Sequence, residues 1–469
     1  MLPYFPSSIA VGALAAMCFG ANVVNLSLSK EFTIADFNWC DGEASKLSCP
    51  KGDLYGSLIG GGVFLGAALG SCFISIAGKI GRRKAMLLLH ALNIAGSLIS
   101  GGSMCFTMLL LGRFICGIAV GMCGVAPVFL TEVSPSEKRG IIGLAYPVFL
   151  VMGQVLMIMW QLLHGRIPVD EENNRFELTN LDRVVWRMAQ LWPVVISVAA
   201  VFLLLFVVKY DTPHFLLQEG KDEEAVAATK ALHGEEKFNE AMKEIKADVE
   251  AQKQAGATLG LVAAMKVPKF RKTILILVGF SIMQQTSGIN VFVSNASKIF
   301  VSIMGRTFAS NLLGTATVGV LFVATAFTGF VIDKFGRKTL LLFGIAFSCL
   351  SMIPAVIAKL ACEPSDAVNI GLAIGCMGFT AGFAVGFGGC MFLYLAEAFG
   401  SEYKDAGFSL AICMNWIAAF IMVATSDFLL AWNDNFTYVM YTAFSVVGLV
   451  YVAVFLKETK GIPLGQAYA

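Results

Sequence analysis

The chain has 469 residues, 57% of them hydrophobic and only 14% charged, with a formal net charge of +2 and a mean hydropathy of +0.75. Ordinary soluble domains carry about 25% charged residues, so the composition excludes a soluble globular domain and describes a polytopic helical membrane protein. A net charge so close to zero supplies no field that would gather nucleic acid.

A bilayer core of roughly 30 Å needs about 20 apolar residues per helix. Runs of that length predict twelve spans, at about 8–28, 54–77, 84–104, 108–131, 141–163, 187–208, 274–304, 310–332, 339–361, 370–397, 407–430 and 436–456. The first run lacks a short apolar region with a small-residue cleavage site, so it reads as a retained helix and not as a removed signal. An even number of spans places both termini on one side. Loops after the even-numbered spans, with the C-terminal tail, hold about 23 of the 34 Lys and Arg, which predicts cytoplasmic termini. The plasma membrane is the expected location.

Cys40 and Cys49 fall in the first outward loop, between Lys30 and Asp53. That compartment is oxidising, so a loop disulfide is expected there. Most other cysteines lie within spans, where a thiol behaves as a small apolar group.

The chain repeats itself. Gly81-Arg82-Arg83-Lys84 follows span 2 and Gly336-Arg337-Lys338-Thr339 follows span 8. Glu132 stands seven residues before Arg139, and Glu397 seven before Lys404; Asp211-Thr212 ends span 6 and Glu458-Thr459 ends span 12. Three ordered pairs predict a parallel duplication into a six-helix half over 1–210 and another over 273–469, an arrangement that places substrate between the halves. The segment 211–272 is hydrophilic, and Asp222-Glu223-Glu224 opens a helical pattern with acids in its first turn. It reads as a linker with short cytoplasmic helices.

Span 7 carries Gln284-Gln285-Thr286-Ser287-Gly288-Ile289-Asn290 within an otherwise apolar run. Polar side chains at membrane depth tend to face a cavity or substrate path. Carboxamides donate and accept without charge, so Gln284, Gln285 and Asn290 suit a neutral, hydroxyl-rich ligand. Hydrogen bonding between helices is the other reading of the same residues. In span 11, Asn415-Trp416 pairs a carboxamide with an aromatic face. Arg113, inside span 4, needs a partner. Spans 1, 2, 3, 5, 7, 9 and 11 read as free of interior Asp and Glu. The four His (His90, His164, His214 and His233) are scattered, with no metal spacing and no nucleophile–base set, so neither an enzyme nor a cofactor is expected.

Eight ordered motifs carry a resemblance across essentially the whole chain: Gly81-Arg82-Arg83; Arg113 with Gly117 and Gly121; Pro127 to Glu132 and on to Arg139-Gly140; Trp186-Arg187; Gln284-Gln285 to Gly288-Ile289-Asn290; Asp333 to Gly336-Arg337-Lys338; Asn415-Trp416; and Glu458-Thr459-Lys460-Gly461. On these the chain resembles the sugar porter family of the major facilitator superfamily. Trp39 to Glu43, Thr212 to Leu216 and Val293-Ser294-Asn295 are similar to its apicomplexan hexose-transporter branch.

The resemblance implies twelve helices in the major facilitator fold, facilitated diffusion of a neutral hexose or related polyol, and a carrier that works as a monomer. It implies a cytoplasmic gate of Gly81, Arg82, Arg83, Glu132, Arg139, Asp333, Arg337, Lys338, Glu397 and Lys404. For substrate contact it points to Gln284, Gln285, Asn290, Ser294, Asn295, Asn415, Trp416 and Phe392, the last standing where the family has Trp. Asn22 occupies the place of the Asp that faces Arg113 in proton-coupled relatives. Asn cannot carry a proton in and out, which favours a uniporter over a symporter. Pro147 and Leu321 replace the family's usual Gln and Asn at two further contact positions, so a proton-coupled or altered-specificity polyol carrier is the alternative. A non-transporting sugar sensor is the remaining reading.

Overall fold

The computed structural model describes residues 3–40, 49–74, 79–135, 138, 142–143, 145–164, 169–170, 175–176, 178–254, 259–294, 300, 308–363, 365–400, 402–462 and 467–468. Among these, twelve helices are long and apolar enough to cross a membrane: Tyr4–Val24, Pro50–Cys72, Arg82–Gly101, Phe106–Val133, Ala145–His164, Asn180–Phe206, Pro268–Val293, Leu312–Ile332, Arg337–Ala361, Asp366–Ala398, Ala406–Leu430 and Asp434–Phe455. They are spans 1 to 12 below. The side of the bundle that holds both chain ends is called the terminal side.

Among the described residues the protein is helical, with one small departure from an all-α chain: β1 (Val169–Asp170) pairs antiparallel with β2 (Arg175–Phe176). Span 6 begins seven residues earlier than hydropathy predicts. Thr179 caps it in a reciprocal capping box with Asp182, and burial of Asp182 and Trp186 makes this polar first turn part of the helix.

Small residues let the helices approach closely. A Cβ on Gly66 of span 2 would lie 2.1 Å from the Phe114 carbonyl oxygen, and one on Gly117 of span 4 would lie 2.2 Å from that of Val63. Spans 2 and 11 pack antiparallel, as do spans 5 and 8 in a smaller contact, and these pairs join spans 1–6 to spans 7–12.

Among the described residues, span 4 passes from Phe106–Met122 to Val125–Val133 through a turn at Cys123-Gly124, and spans 7 and 10 are broken more markedly. Span 7 is helical over Pro268–Thr286, turns at Gly288 with φ +87°, and resumes over Ile289–Ser294. Only a residue without a Cβ fits there, because the Tyr441 ring lies 2.6 Å from where that atom would be. Span 10 carries a π-helical segment, Ala384–Gly388, between Asp366–Phe383 and Gly389–Ala398. Such wide turns concentrate at functional positions.

On the side opposite the termini, the short helix Lys30–Asp36 lies across the ends of spans 5 and 6. Asp36 accepts from Arg183 at 3.0 Å and Arg187 at 3.1 Å. Ser29, at its N-terminus, meets His164 at 2.9 Å, and His164 meets Asp182 at 3.1 Å. Cys40 and Cys49 are joined in a disulfide with Cα atoms 5.8 Å apart. On the terminal side, helices Pro213–Gln218, Asp222–His233 and Phe238–Gln254 enclose a small apolar core of their own that includes Leu216, Ala228 and Ile245.

Candidate functional site

The break in span 7 gathers carboxamides into one closed network. Gln285 Nε2 donates to Asn415 Oδ1 at 2.9 Å, and Asn290 Nδ2 donates to Gln285 Oε1 at 2.6 Å. Asn415 Nδ2 donates to Gln284 Oε1 at 2.7 Å and to the Ser281 carbonyl at 2.8 Å. Gln284 Nε2 donates to the Phe387 carbonyl at 3.2 Å, within the π segment of span 10. Gln284, Gln285 and Asn415 are all at least nine-tenths buried. Spans 7, 10 and 11 are therefore stitched together by neutral groups that can exchange partners with hydroxyls at little cost.

Beside this network Trp416 bridges to the first six spans. Its ring meets Phe19 of span 1 edge-on at 5.6 Å and stacks on Phe64 of span 2 at 5.9 Å. Neither phenylalanine stands out in the sequence, because each is one aromatic among 37 Phe in apolar runs.

Arg113 is fully buried, and its partners are oxygens without formal charge. Nη1 donates to Asn25 Oδ1 at 2.6 Å and to the Asn22 carbonyl at 2.8 Å, and Nε to the Ile59 carbonyl at 3.4 Å. Asn22 turns its own amide to Asn93 Oδ1 at 2.8 Å. Asn25, three residues on from Asn22 and so on the same helix face, is the signal the sequence reading overlooked.

The reading of span 11 as free of interior acid is corrected by Asp427. Its carboxylate is 1% exposed and paired with Lys30, and Ser57 donates to it. Three residues from the helix's outer end it looks like an interface residue, but span 2 and the short helix Lys30–Asp36 cover it.

The repeated turns build matching clusters on the terminal side. Arg82 Nη2 pairs with Glu132 at 2.9 Å, and Thr212 donates to the other oxygen of Glu132 at 2.5 Å. Arg337 pairs with Glu397 at 2.9 Å, and Thr459 donates to Glu397 at 2.6 Å. Asp211 accepts the Arg83 amide at 3.2 Å; Glu458 accepts the Arg337 amide at 2.8 Å and the Lys338 amide at 3.0 Å. Gly81 and Gly336 both turn with positive φ, at +96° and +88°, to aim these amides at the acids. Each of these two ion pairs stays within its own set of six spans.

The two anchoring acids differ electrostatically. Burial holds the Asp211 carboxyl above the usual range, against amide donors from Thr212 and Arg83. At Glu458 burial also raises the value, but amides from Lys460, Arg337 and Thr459 outweigh it and hold the carboxyl low.

A family model described as "Sugar (and other) transporter" matches residues 34–468. The chain belongs to the sugar transporter family. This sugar transporter is 32% identical to Hexose transporter 1 of Toxoplasma gondii, over 98% of the chain and 81% of that relative. It is 31% identical to Hexose transporter 1 of Plasmodium knowlesi, over 98% of the chain and 91% of the relative. The xylose transporter XylE from E. coli, in a partially occluded inward-open conformation, matches with a TM-score of 0.77 at 20% identity, covering 97% of this chain and 99% of that one. XylE bound to 6-bromo-6-deoxy-D-glucose, a proton:xylose symporter, matches with a TM-score of 0.78 at 21% identity, covering 99% and 98%. These likenesses show the major facilitator fold. The family is one of transporters, not enzymes.

In this sugar transporter, Phe392 does not join the network. Its side chain is 39% exposed, whereas the preceding Met391 is fully buried and its sulfur lies 3.6 Å from Asn415 Nδ2. The buried positions of that helix are Cys390, Met391, Tyr394, Leu395 and Ala398, a stripe that excludes 392. Pro147 is half-buried and Leu321 buried. Two turns beyond Pro147 on span 5, Gln154 is 7% exposed with an Oε1 that has no partner among the described residues. Lys404 opens the helix Lys404–Trp432. Asn295 and Arg139 lie outside the described residues, as do the side chains of Ser294 and Asp333.

Proposed function

We propose that this protein is a facilitative transporter of a neutral hexose, working by alternating access between a half formed by residues 1–210 and a half formed by residues 273–469, joined by the linker 211–272. The observation that carries this reading is the buried network of Gln284, Gln285, Asn290 and Asn415 at the break of span 7, with Trp416 set against Phe19 and Phe64. It offers uncharged donors and acceptors to hydroxyls and an indole to a sugar's C–H face. The relatives named Hexose transporter 1 support hexose as the cargo.

Downhill uniport is supported by Arg113, whose hydrogen bonds among the described residues go to carbonyl and carboxamide oxygens that titrate nowhere near physiological pH. Asp427, the buried acid of span 11, is held by Lys30 and Ser57. The excess of Lys and Arg on the terminal side supports cytoplasmic termini, and a plasma-membrane carrier acting as a monomer fits the reading. The apolar Pro147 and Leu321, where the family resemblance places polar sugar contacts, favour a related polyol as the second reading of the cargo.

Uptake of radiolabelled D-glucose by the Asn415→Ala and Gln284→Ala proteins in proteoliposomes tests the assignment. A rise of about tenfold to a hundredfold in the half-saturating sugar concentration, with intact folded protein, is expected. Uptake equal to that of the unaltered protein makes the carboxamides helix glue only.

A further inference from the structure

Spans 2 and 11 stay in contact from one side of the membrane to the other. Ser57 meets Asp427 near the outer end. A Cβ on Gly61 would lie 3.0 Å from the Phe420 ring, and Phe64 stacks on Trp416 at mid-depth. Continued toward the terminal side, this antiparallel register brings Cys72, the last residue of its helix, against Cys413. The two thiols are in hydrogen-bonding contact, and the Ser71 hydroxyl reaches the Cys413 thiol too. Cys72 is exposed and Cys413 half-buried.

We propose that Cys72 and Cys413 are a redox-sensitive modification site, whose disulfide ties spans 1–6 to spans 7–12 at the terminal side and arrests transport. The arrest rests on the alternating-access reading; the disulfide rests on the register of spans 2 and 11, which sets the two thiols against each other. The chemistry balances with a peroxide as oxidant. Exposed Cys72 is oxidised to a sulfenic acid with release of one water; the Cys413 sulfur then attacks it, forming the S–S bond and releasing a second water. Two external thiols reverse the step by exchange. The close packing of spans 2 and 11 places the two thiols side by side, where rotation of the side chains can form a disulfide of roughly 2.05 Å. On a cytoplasmic face such a bond is transient, because the compartment returns it to thiols, and this is the property a switch requires.

The test uses the full chain with a protease site inserted after Gln254, reconstituted in liposomes. After treatment with hydrogen peroxide or copper phenanthroline, the linker is cut and the product run without reductant. The two fragments are expected to stay joined and to separate with dithiothreitol, and Cys72→Ser and Cys413→Ala are each expected to abolish the joined band. Separate fragments from the oxidised parent, or a joined band surviving in Cys72→Ser, would overturn the site. In the uncut protein, oxidation is expected to lower hexose uptake by about tenfold or more, because the halves can no longer part, with recovery on reduction. A joined band with undiminished uptake would instead overturn the arrest and the alternating-access reading with it, leaving the disulfide standing.

Discussion

Lys30 and Asp427 form an ion pair between the short helix that follows span 1 and the outer end of span 11, joining the first six spans to the last six. The pair is asymmetric: the Asp427 side chain is 1% exposed and that of Lys30 15%. Taking one partner from a buried pair strands the other charge, at a cost of about 3–5 kcal/mol, and the partial exposure of Lys30 places Lys30→Ala toward the lower end. Asp427→Asn and Lys30→Ala should each lower thermal stability and uptake. Exchanging the charges, with Lys30→Asp and Asp427→Lys together, should restore part of both. A double variant no better than the worse single one would show that the pair does not hold the two sets of spans together.

The carboxamide network makes a graded prediction. Each neutral hydrogen bond contributes about 1 kcal/mol, or about fivefold in an equilibrium constant. Asn415 donates to Gln284 and to the Ser281 carbonyl and accepts from Gln285, so Asn415→Ala should raise the half-saturating sugar concentration by about tenfold to a hundredfold. Phe392→Ala, which removes a ring outside the network, should change it by about threefold or less. Concentration-dependent uptake at matched protein amounts measures both.

Asp211 and Glu458 occupy equivalent turns but should respond oppositely to neutralisation. The Asp211 carboxyl is held high by burial, so folding favours its protonated form and its charge costs stability at neutral pH. The Glu458 carboxyl is held low by four backbone amides despite burial, so its charge contributes stability above its unfolded value, which is lost as pH falls through the lower folded one. Glu458→Gln should therefore lower the melting temperature at pH 7 more than Asp211→Asn. Its deficit should shrink on acidification below the ordinary carboxylate value of 4.5. Melting curves between neutral and acid pH decide the matter; equal deficits for the two variants would refute it.

The turns themselves can be probed at their glycines. A Cβ on Gly81 would sit 2.2 Å from Asp211 Oδ2 at a φ of +96°, whereas one on Gly336 would sit 2.8 Å from Glu458 Oε2 at +88°. Both Ala variants face backbone strain of about 1 kcal/mol or more, and Gly81→Ala adds the harsher clash. Its loss of stability should exceed that of Gly336→Ala, read by the same melting assay.

Much of this was legible in the sequence because its signals are redundant. Twelve apolar runs match twelve helices, and the repeated turns, acids and Asp/Glu-Thr ends meet in space as two like clusters. The carboxamides of span 7 announce themselves by being polar at membrane depth. What stayed hidden depends on direction and register. Asp427 reads as an interface residue because hydropathy cannot see the helix that covers it. Phe392 and Met391 differ by one position, about 100° around a helix, which a motif alignment does not resolve. Asn25 is a modest polar residue until Arg113 reaches it from span 4, and the run Gly386-Phe387-Gly388-Gly389 marks a bendable stretch of span 10 without saying that it takes a π turn.

The most direct measurement is D-glucose and D-fructose uptake into proteoliposomes with and without an imposed proton gradient. Saturable uptake that is the same in both conditions is the predicted result, since Arg113 bonds Asn22 and Asn25 and not a titrating acid. Accumulation that follows the proton gradient would contradict the account and direct attention to Asp427 as the group that carries the proton.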